Sequence, residues 1–333
     1  MKIAFLFPGQ GSQVIGMGKD IYEKYKEAKI IYDKVKEITG IDIAKISFEG
    51  PEEVLNKTQN TQLAVLTMSL AIIEILKNNN INAEISTGLS LGEYSALIYS
   101  KALELEKGID LVKKRGEYMQ NLAPKGDWSM AAIMGMSEEQ IIDACNKVKN
   151  GFVVPANFNN VSQIVISGEK SGVEEAVQIL KEMGARKAIV LNTAGPFHTE
   201  KLKDSSEALR KELDNVDFNK FKTKVVKNID GKIYNDKDDM RDILARHIVS
   251  PVRFDKSIET MLEEGVDTFV EIGPGKTLSG FVKRTPTDKQ INIYNINNVE
   301  TLENVIEILK KWFYNTKKLR FFNFELLIMK GIW

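Results

Sequence analysis

Three side chains in this sequence have the type and the setting for nucleophilic chemistry: Ser90, His198 and Arg115. Ser90 lies in Gly88-Leu89-Ser90-Leu91-Gly92, a G-x-S-x-G stretch between a strand-like run (83–87) and a helix-like run (93–100). In that context small flanking residues let the backbone turn sharply, exposing a serine hydroxyl above a sheet with a helix N-terminus below it. A serine hydroxyl is a weak nucleophile until a neighbour takes its proton, and at neutral pH imidazole suits that task. His247 follows Ile243 by four residues on a helical run and reads as a core-edge histidine. His198 follows Gly195-Pro196-Phe197 in a loop after a strand, the kind of place where catalytic groups are presented, and is the expected base. No Asp or Glu stands out as a third member, which points to a dyad oriented by a backbone carbonyl.

Arg115 falls among Ile109, Val112, Met119 and Leu122 on the apolar face of a helix over 105–122. A guanidinium on that face needs either a protein carboxylate or an anionic ligand gripped by two parallel hydrogen bonds. From the pattern alone the salt bridge is the more economical of the two. Near the N-terminus, Pro8-Gly9-Gln10-Gly11-Ser12-Gln13 follows the apolar run 2–7. It matches neither glycine-rich phosphate fingerprint, and its unobstructed backbone N–H groups suit an oxyanion beside the serine.

The elements that must position these residues are legible in outline. The run 2–7 reads as a buried parallel strand, followed by helices over 19–39 and 62–77. The second of these is apolar nearly all round, as in a buried helix, and too interrupted by polar residues to span a membrane. From Trp128 the pattern becomes strand (128–134), helix (137–148), two strands (152–157 and 163–167), helix (172–183) and strand (187–191). That βαββαβ order is the split unit of ferredoxin-like domains. A helix over 238–247, a strand over 268–272 ending in Gly273-Pro274-Gly275, and a helix over 301–314 complete the outline.

The fold class is therefore α/β. A large domain with a parallel sheet comprises 1–126 and 194–314, and a compact lobe over 127–193 is inserted in it. Residues 315–333, rich in apolar side chains, read as a poorly anchored extension, with a docking tail as the alternative.

Lys and Arg number 46 and Asp and Glu number 46, so nucleic acid and anionic membrane lose their usual electrostatic footprint and neither is an expected partner. A single cysteine, Cys145, and a strand-like start directly after Met1 argue for the cytoplasm. Cys145 sits in a helical stretch without a nearby histidine and reads as structural. Two histidines and one cysteine supply no evident zinc site, and no metal is expected.

Taken in order, Pro8-Gly-Gln-Gly-Ser-Gln13, Gly88 to Leu97, Lys114-Arg115-Gly116, Asn157-Phe158-Asn159, Gly195-Pro-Phe-His198 and Glu271-Ile-Gly-Pro-Gly-Lys276 resemble the malonyl-CoA:acyl carrier protein transacylases of bacterial fatty acid synthesis. The resemblance spans about residues 1–314. It implies an α/β hydrolase-like large domain and a ferredoxin-like small domain with the active site between them. It implies Ser90 as nucleophile, His198 as base, Arg115 as the clamp on the malonyl carboxylate, and the backbone N–H groups of Gln10 and Leu91 as the oxyanion hole. The main-chain carbonyl of His247, where the family usually has glutamine, would orient the imidazole. Asn157, Asn159 and Phe197 would line the pocket, Phe197 resembling the malonyl-selecting form. Leu89 stands where the family usually has histidine, which touches fine specificity only.

The implied substrates are malonyl-CoA and acyl carrier protein, exchanged by a ping-pong transfer through a serine ester, with no bound cofactor and the chain acting as a monomer. A free-standing acyltransferase serving a polyketide synthase is the alternative. A thioesterase or esterase would have no use for an arginine aimed at the acyl carboxylate, and a catalytically dead carrier-protein scaffold would not need Ser90, His198 and Arg115 together.

Overall fold

Among the described residues ten strands form two sheets: β1 (Ile3–Phe7), β2 (Ile85–Gly88), β3 (Trp128–Met134), β4 (Val153–Asn160), β5 (Gln163–Glu169), β6 (Lys187–Leu191), β7 (Lys224–Val225), β8 (Val252–Arg253), β9 (Thr268–Ile272) and β10 (Asn292–Ile296). The computed structural model describes residues 1–191 and 195–329, with side chains up to Tyr314.

The first sheet has the order β10-β9-β1-β2-β7 and is parallel throughout. Every residue of β1 is buried. Ile3, Phe5 and Phe7 join one core cluster, while Ala4 and Leu6 join a second on the opposite face. A strand covered on both faces must be apolar at every position, which is why this run lacks the alternation of a half-exposed strand. One face is covered by helices that include Lys26–Thr39, Thr58–Asn78, Gly92–Tyr99 and Leu105–Asn121, the other by Phe254–Glu263 and Thr277–Arg284. Thr58–Asn78 is long and apolar enough to cross a membrane, but 89% of its apolar window is buried inside the protein, as in a core helix.

The second sheet has the order β6-β3-β5-β4-β8, with β6, β3, β5 and β4 antiparallel. Helices Glu138–Lys147 and Lys170–Glu182 cover one face, giving the ferredoxin-like arrangement. On the other face Met130, Ala132, Ala156 and Val165 merge with the core of the first sheet, so the lobe is seated on the large domain. Cys145 is buried among the apolar residues of this lobe, and burial raises its thiol pKa to about 12, in keeping with a structural role.

Several boundaries differ from the sequence reading. The helix expected over 19–39 is two, Lys19–Lys24 and Lys26–Thr39, divided at an extended Tyr25 (φ −112°, ψ 127°) whose hydroxyl donates to Glu303. The two-residue strands β7 and β8, and also β10, were not anticipated. β8 lies outside the inserted segment, yet it pairs in parallel with β4 through Asn157↔Val252 and Phe158↔Arg253. Arg253 reinforces the join with two hydrogen bonds to Glu138, at 2.9 and 3.1 Å, and by lying over the Phe158 ring. The helix expected over 301–314 runs from Val299 to Met329. The reading of 315–333 as a poorly anchored extension falls on side chains outside the described residues.

Candidate active site

The tips of β1 and β2 lie side by side, Phe7 in register with Gly88, so the loop after β1 and the turn after β2 meet at the C-terminal edge of the sheet. Ligands of open parallel sheets bind at that edge. The turn is tight: a Cβ on Gly88 would come 2.1 Å from the Gly92 carbonyl carbon, and one on Gly9 2.4 Å from the Leu89 carbonyl oxygen. Only glycine permits either approach. Ser90, between the two turn glycines, has φ of +54°, a conformation costly for a residue with a Cβ and one that lifts its side chain off the sheet.

Ser90 Oγ lies 2.7 Å from His198 Nε2. His198 Nδ1 faces two carbonyl oxygens, those of His247 at 3.0 Å and Ser250 at 3.1 Å. Two acceptors at Nδ1 require a proton there, which leaves Nε2 with a free lone pair to receive the serine proton. Burial first, and the nearby Arg115 charge second, lower the imidazole pKa to about 4, so the ring is neutral at physiological pH, with its Nε2 lone pair open to a proton. His247 does not reach the serine. Its ring is 1% exposed, and neither ring nitrogen makes a hydrogen bond among the described residues. It therefore enters the site through its carbonyl. His247 Nδ1 lies 3.3 Å from Glu93 Oε2, but burial holds the ring pKa well below its usual value, so this contact is not an ion pair.

Arg115 is 1% exposed. Its Nη1 donates to Gln62 Oε1 at 2.6 Å and its Nη2 to Ser90 Oγ at 3.0 Å, both neutral oxygens, while Nε has no partner among the described residues. Among the described residues it forms no ion pair, so the salt bridge favoured by the sequence pattern is not what holds it. Tyr94 presents its ring 5.6 Å from the guanidinium. A buried cation bonded only to neutral groups is costly, and a carboxylate beside Ser90 would compensate it.

Gln10 follows Gly9 in the β1 loop, and Leu91 stands at the N-cap of Gly92–Tyr99. Both loops meet at the serine turn, and Leu89 packs partly buried on the second core cluster. Phe197, buried, precedes His198 directly. Asn157 lies on β4 opposite Val252, two residues past Ser250. Asn159 donates to Gln163 at 2.8 Å, and no hydrogen bond among the described residues joins it to Ser90, His198 or Arg115.

Sequence reasoning missed Gln62, Glu93, Asn228 and Ser250. Gln62 carried a signal, being a buried amide directly before the apolar run that starts at Leu63, and Glu93 another, as the acid directly after the turn. Asn228 and Ser250 carried none.

The acyl transferase domain family matches residues 4–324, ten residues beyond the span read from the motifs. Malonyl CoA-acyl carrier protein transacylase of Bacillus subtilis is 43% identical over 312 residues, covering 93% of this chain and 98% of that one. The crystal structure of malonyl CoA-acyl carrier protein transacylase from Clostridium perfringens superposes with a TM-score of 0.90 at 41% identity, covering 95% of this chain and 100% of that one. A malonyl-transacylase solved in complex with its type II PKS acyl-carrier protein gives 0.88 at 35% identity, covering 92% and 99%. With the dyad and the arginine side by side at the edge of such a fold, the chain belongs to the malonyl CoA-acyl carrier protein transacylase family.

Proposed function

We propose that this chain moves a malonyl group from coenzyme A to the phosphopantetheine thiol of an acyl carrier protein through a malonyl ester on Ser90. Oγ attacks the thioester carbonyl as its proton passes to His198 Nε2, and the N–H groups of Gln10 and Leu91 stabilise the oxyanion. Collapse breaks the C–S bond, and the imidazolium returns the proton to the departing coenzyme A sulfur. The carrier thiol then gives its proton to His198 and attacks the serine ester, and a second collapse restores Ser90. Throughout, Arg115 grips the distal malonyl carboxylate. Both thioesters are of similar energy, so the exchange needs no nucleotide, metal or bound cofactor.

The observation that carries this reading is the position of Arg115 Nη2, 3.0 Å from the serine oxygen and, among the described residues, bonded to no carboxylate. A thioesterase or esterase gains nothing from that cation. Fatty acid synthesis is the route served; the likeness to a transacylase complexed with a type II PKS carrier makes a polyketide carrier the alternative. We assign the reaction to a monomer in the cytoplasm, the compartment being supported by the single, buried cysteine. Mass spectrometry of the purified chain after incubation with malonyl-CoA should find a malonyl adduct on Ser90 that disappears on adding holo-acyl carrier protein. Absence of the adduct would refute the reading, and discharge by only one of two carriers, from fatty acid or polyketide synthesis, would separate the routes.

A further inference from the structure

Behind the dyad lies a buried polar group that the transfer steps above do not use. Asn228, fully buried, places its carboxamide across the serine turn: Oδ1 accepts from Ser90 N–H at 2.6 Å, and Nδ2 donates to Gly88 C=O at 2.7 Å. The backbone N–H of Asn228 in turn donates to Glu93 Oε2 at 3.2 Å. Glu93, 1% exposed, also accepts from the Tyr234 hydroxyl at 2.6 Å and touches the His247 ring at 3.3 Å. One carboxyl group, its pKa raised by burial to about 7, thus contacts both the residue that holds the serine turn and the residue whose carbonyl holds the imidazole.

We propose that Asn228 and Glu93 are positioning residues of the transfer reaction: Asn228 pins the serine turn on both sides, and Glu93 ties that turn to the segment that orients His198. The inference rests on the transfer proposed above. The turn keeps a non-glycine residue at positive φ, a conformation that persists only where the surroundings over-determine it, and the Asn228 carboxamide supplies that constraint. It also occupies the Ser90 N–H, which therefore takes no part in the oxyanion hole and leaves that task to Gln10 and Leu91. Arg115 and Gln62 lie on other helices and, among the described residues, share no hydrogen bond with Asn228 or Glu93; Arg115 meets this group only through the Ser90 hydroxyl.

The test is rapid-quench mass spectrometry of Ser90 malonylation, with circular dichroism and the KM for malonyl-CoA, on the full chain and on Asn228→Ala, Asn228→Asp and Glu93→Gln. Misplacing a reacting atom by about 1 Å costs roughly a hundredfold. Asn228→Ala should therefore lower the malonylation rate by about that factor while KM stays within about threefold. Glu93→Gln keeps one acceptor oxygen of two, and a loss of about tenfold is expected. Asn228→Asp is isosteric and keeps the acceptor for Ser90 N–H. Its buried carboxyl regains the donor to Gly88 only when protonated, so its rate relative to wild type should rise as pH falls from about 8 to about 5.5. If Asn228→Ala does not fold, this ratio decides. A folded Asn228→Ala within about threefold of wild-type rate, a loss appearing only in KM, or a flat Asn228→Asp ratio would overturn the inference. A wild-type chain that never acquires malonyl would overturn the transfer reading itself, and the inference with it.

Discussion

Arg115 and Ser90 are joined by a hydrogen bond of 3.0 Å from guanidinium Nη2 to hydroxyl Oγ, while the other arm of the same fork is held by Gln62. In a malonyl ester of Ser90 the free carboxylate is separated from the ester carbonyl by one methylene. An arginine already touching Oγ therefore needs to exchange only a neutral hydroxyl for an anion.

Arg115→Ala should sharply lower malonyl transfer while sparing, or relatively improving, acetyl transfer. Two charge-assisted hydrogen bonds are each worth about 1.5–3 kcal/mol, so the malonyl loss is roughly hundreds- to thousands-fold in kcat/KM. Arg115→Lys should be intermediate, because a point charge cannot reproduce the planar fork. Comparing kcat/KM for malonyl- and acetyl-CoA decides it; an equal fall for both would make the arginine structural.

Gln62 fixes the orientation of that fork, and its own Nε2 contacts Met119 Sδ at 3.4 Å. For Gln62→Ala a rise of about tenfold in malonyl-CoA KM is expected, the scale of one hydrogen bond to a charged group. The malonyl-to-acetyl preference should shrink with it. An unchanged preference would show that Arg115 orients itself.

Removing the nucleophile and removing the base should have different signatures. Ser90→Ala should abolish the adduct and transfer with the fold intact, and His198→Ala should slow malonylation by about a hundredfold or more, the scale of a general base. His247→Ala keeps its carbonyl on His198 Nδ1 and should cost less than His198→Ala. Rates in the opposite order would reverse the assignment of the two histidines.

The pH dependence follows from the burial of the base. His198 must be neutral to accept a proton, and its pKa is lowered to about 4 from the free value of about 6.5. Malonyl transfer should therefore hold as pH falls through 6.5, with the acid limb of kcat/KM well below that of free imidazole. Stability carries the same sign: the unfolded chain binds the extra proton between about 6.5 and about 4, so this contribution is complete above 6.5 and lost as pH falls through 4. An acid limb centred near 6.5 would mean the base is solvated.

What the sequence disclosed and what it concealed divide along physical lines. Ser90 is announced by its own neighbours, because turn, strand and helix are local, and Arg115 by a charge that breaks an apolar stripe. The buried β1 was legible from five consecutive apolar residues. Asn228 and Ser250 were not, because their roles consist of contacts with residues 138 and 52 positions away, and no nearby pattern encodes such a contact. The two residues of β8 are too few to show a period, so the join between the lobes could appear only in three dimensions. Arg115 was identified as an anomaly, but its partner was not; pattern favoured a carboxylate, whereas the fold supplies an amide and a hydroxyl.

The spacing of the site along the chain has a consequence for the protein during its synthesis. Ser90 is made long before its base, 108 residues later, and the carbonyls that orient that base lie a further 49 and 52 residues on. A ribosome-bound fragment that ends within the inserted lobe has the serine but neither imidazole nor orienting carbonyls, so it cannot consume acyl-CoA. Competence arrives late, once Ser250 has emerged, β8 can close against β4, and β9 and β10 have completed the sheet beside β1. The first turnover thus reports completion of both lobes, and an activity assay on stalled chains of increasing length would register it as a single step.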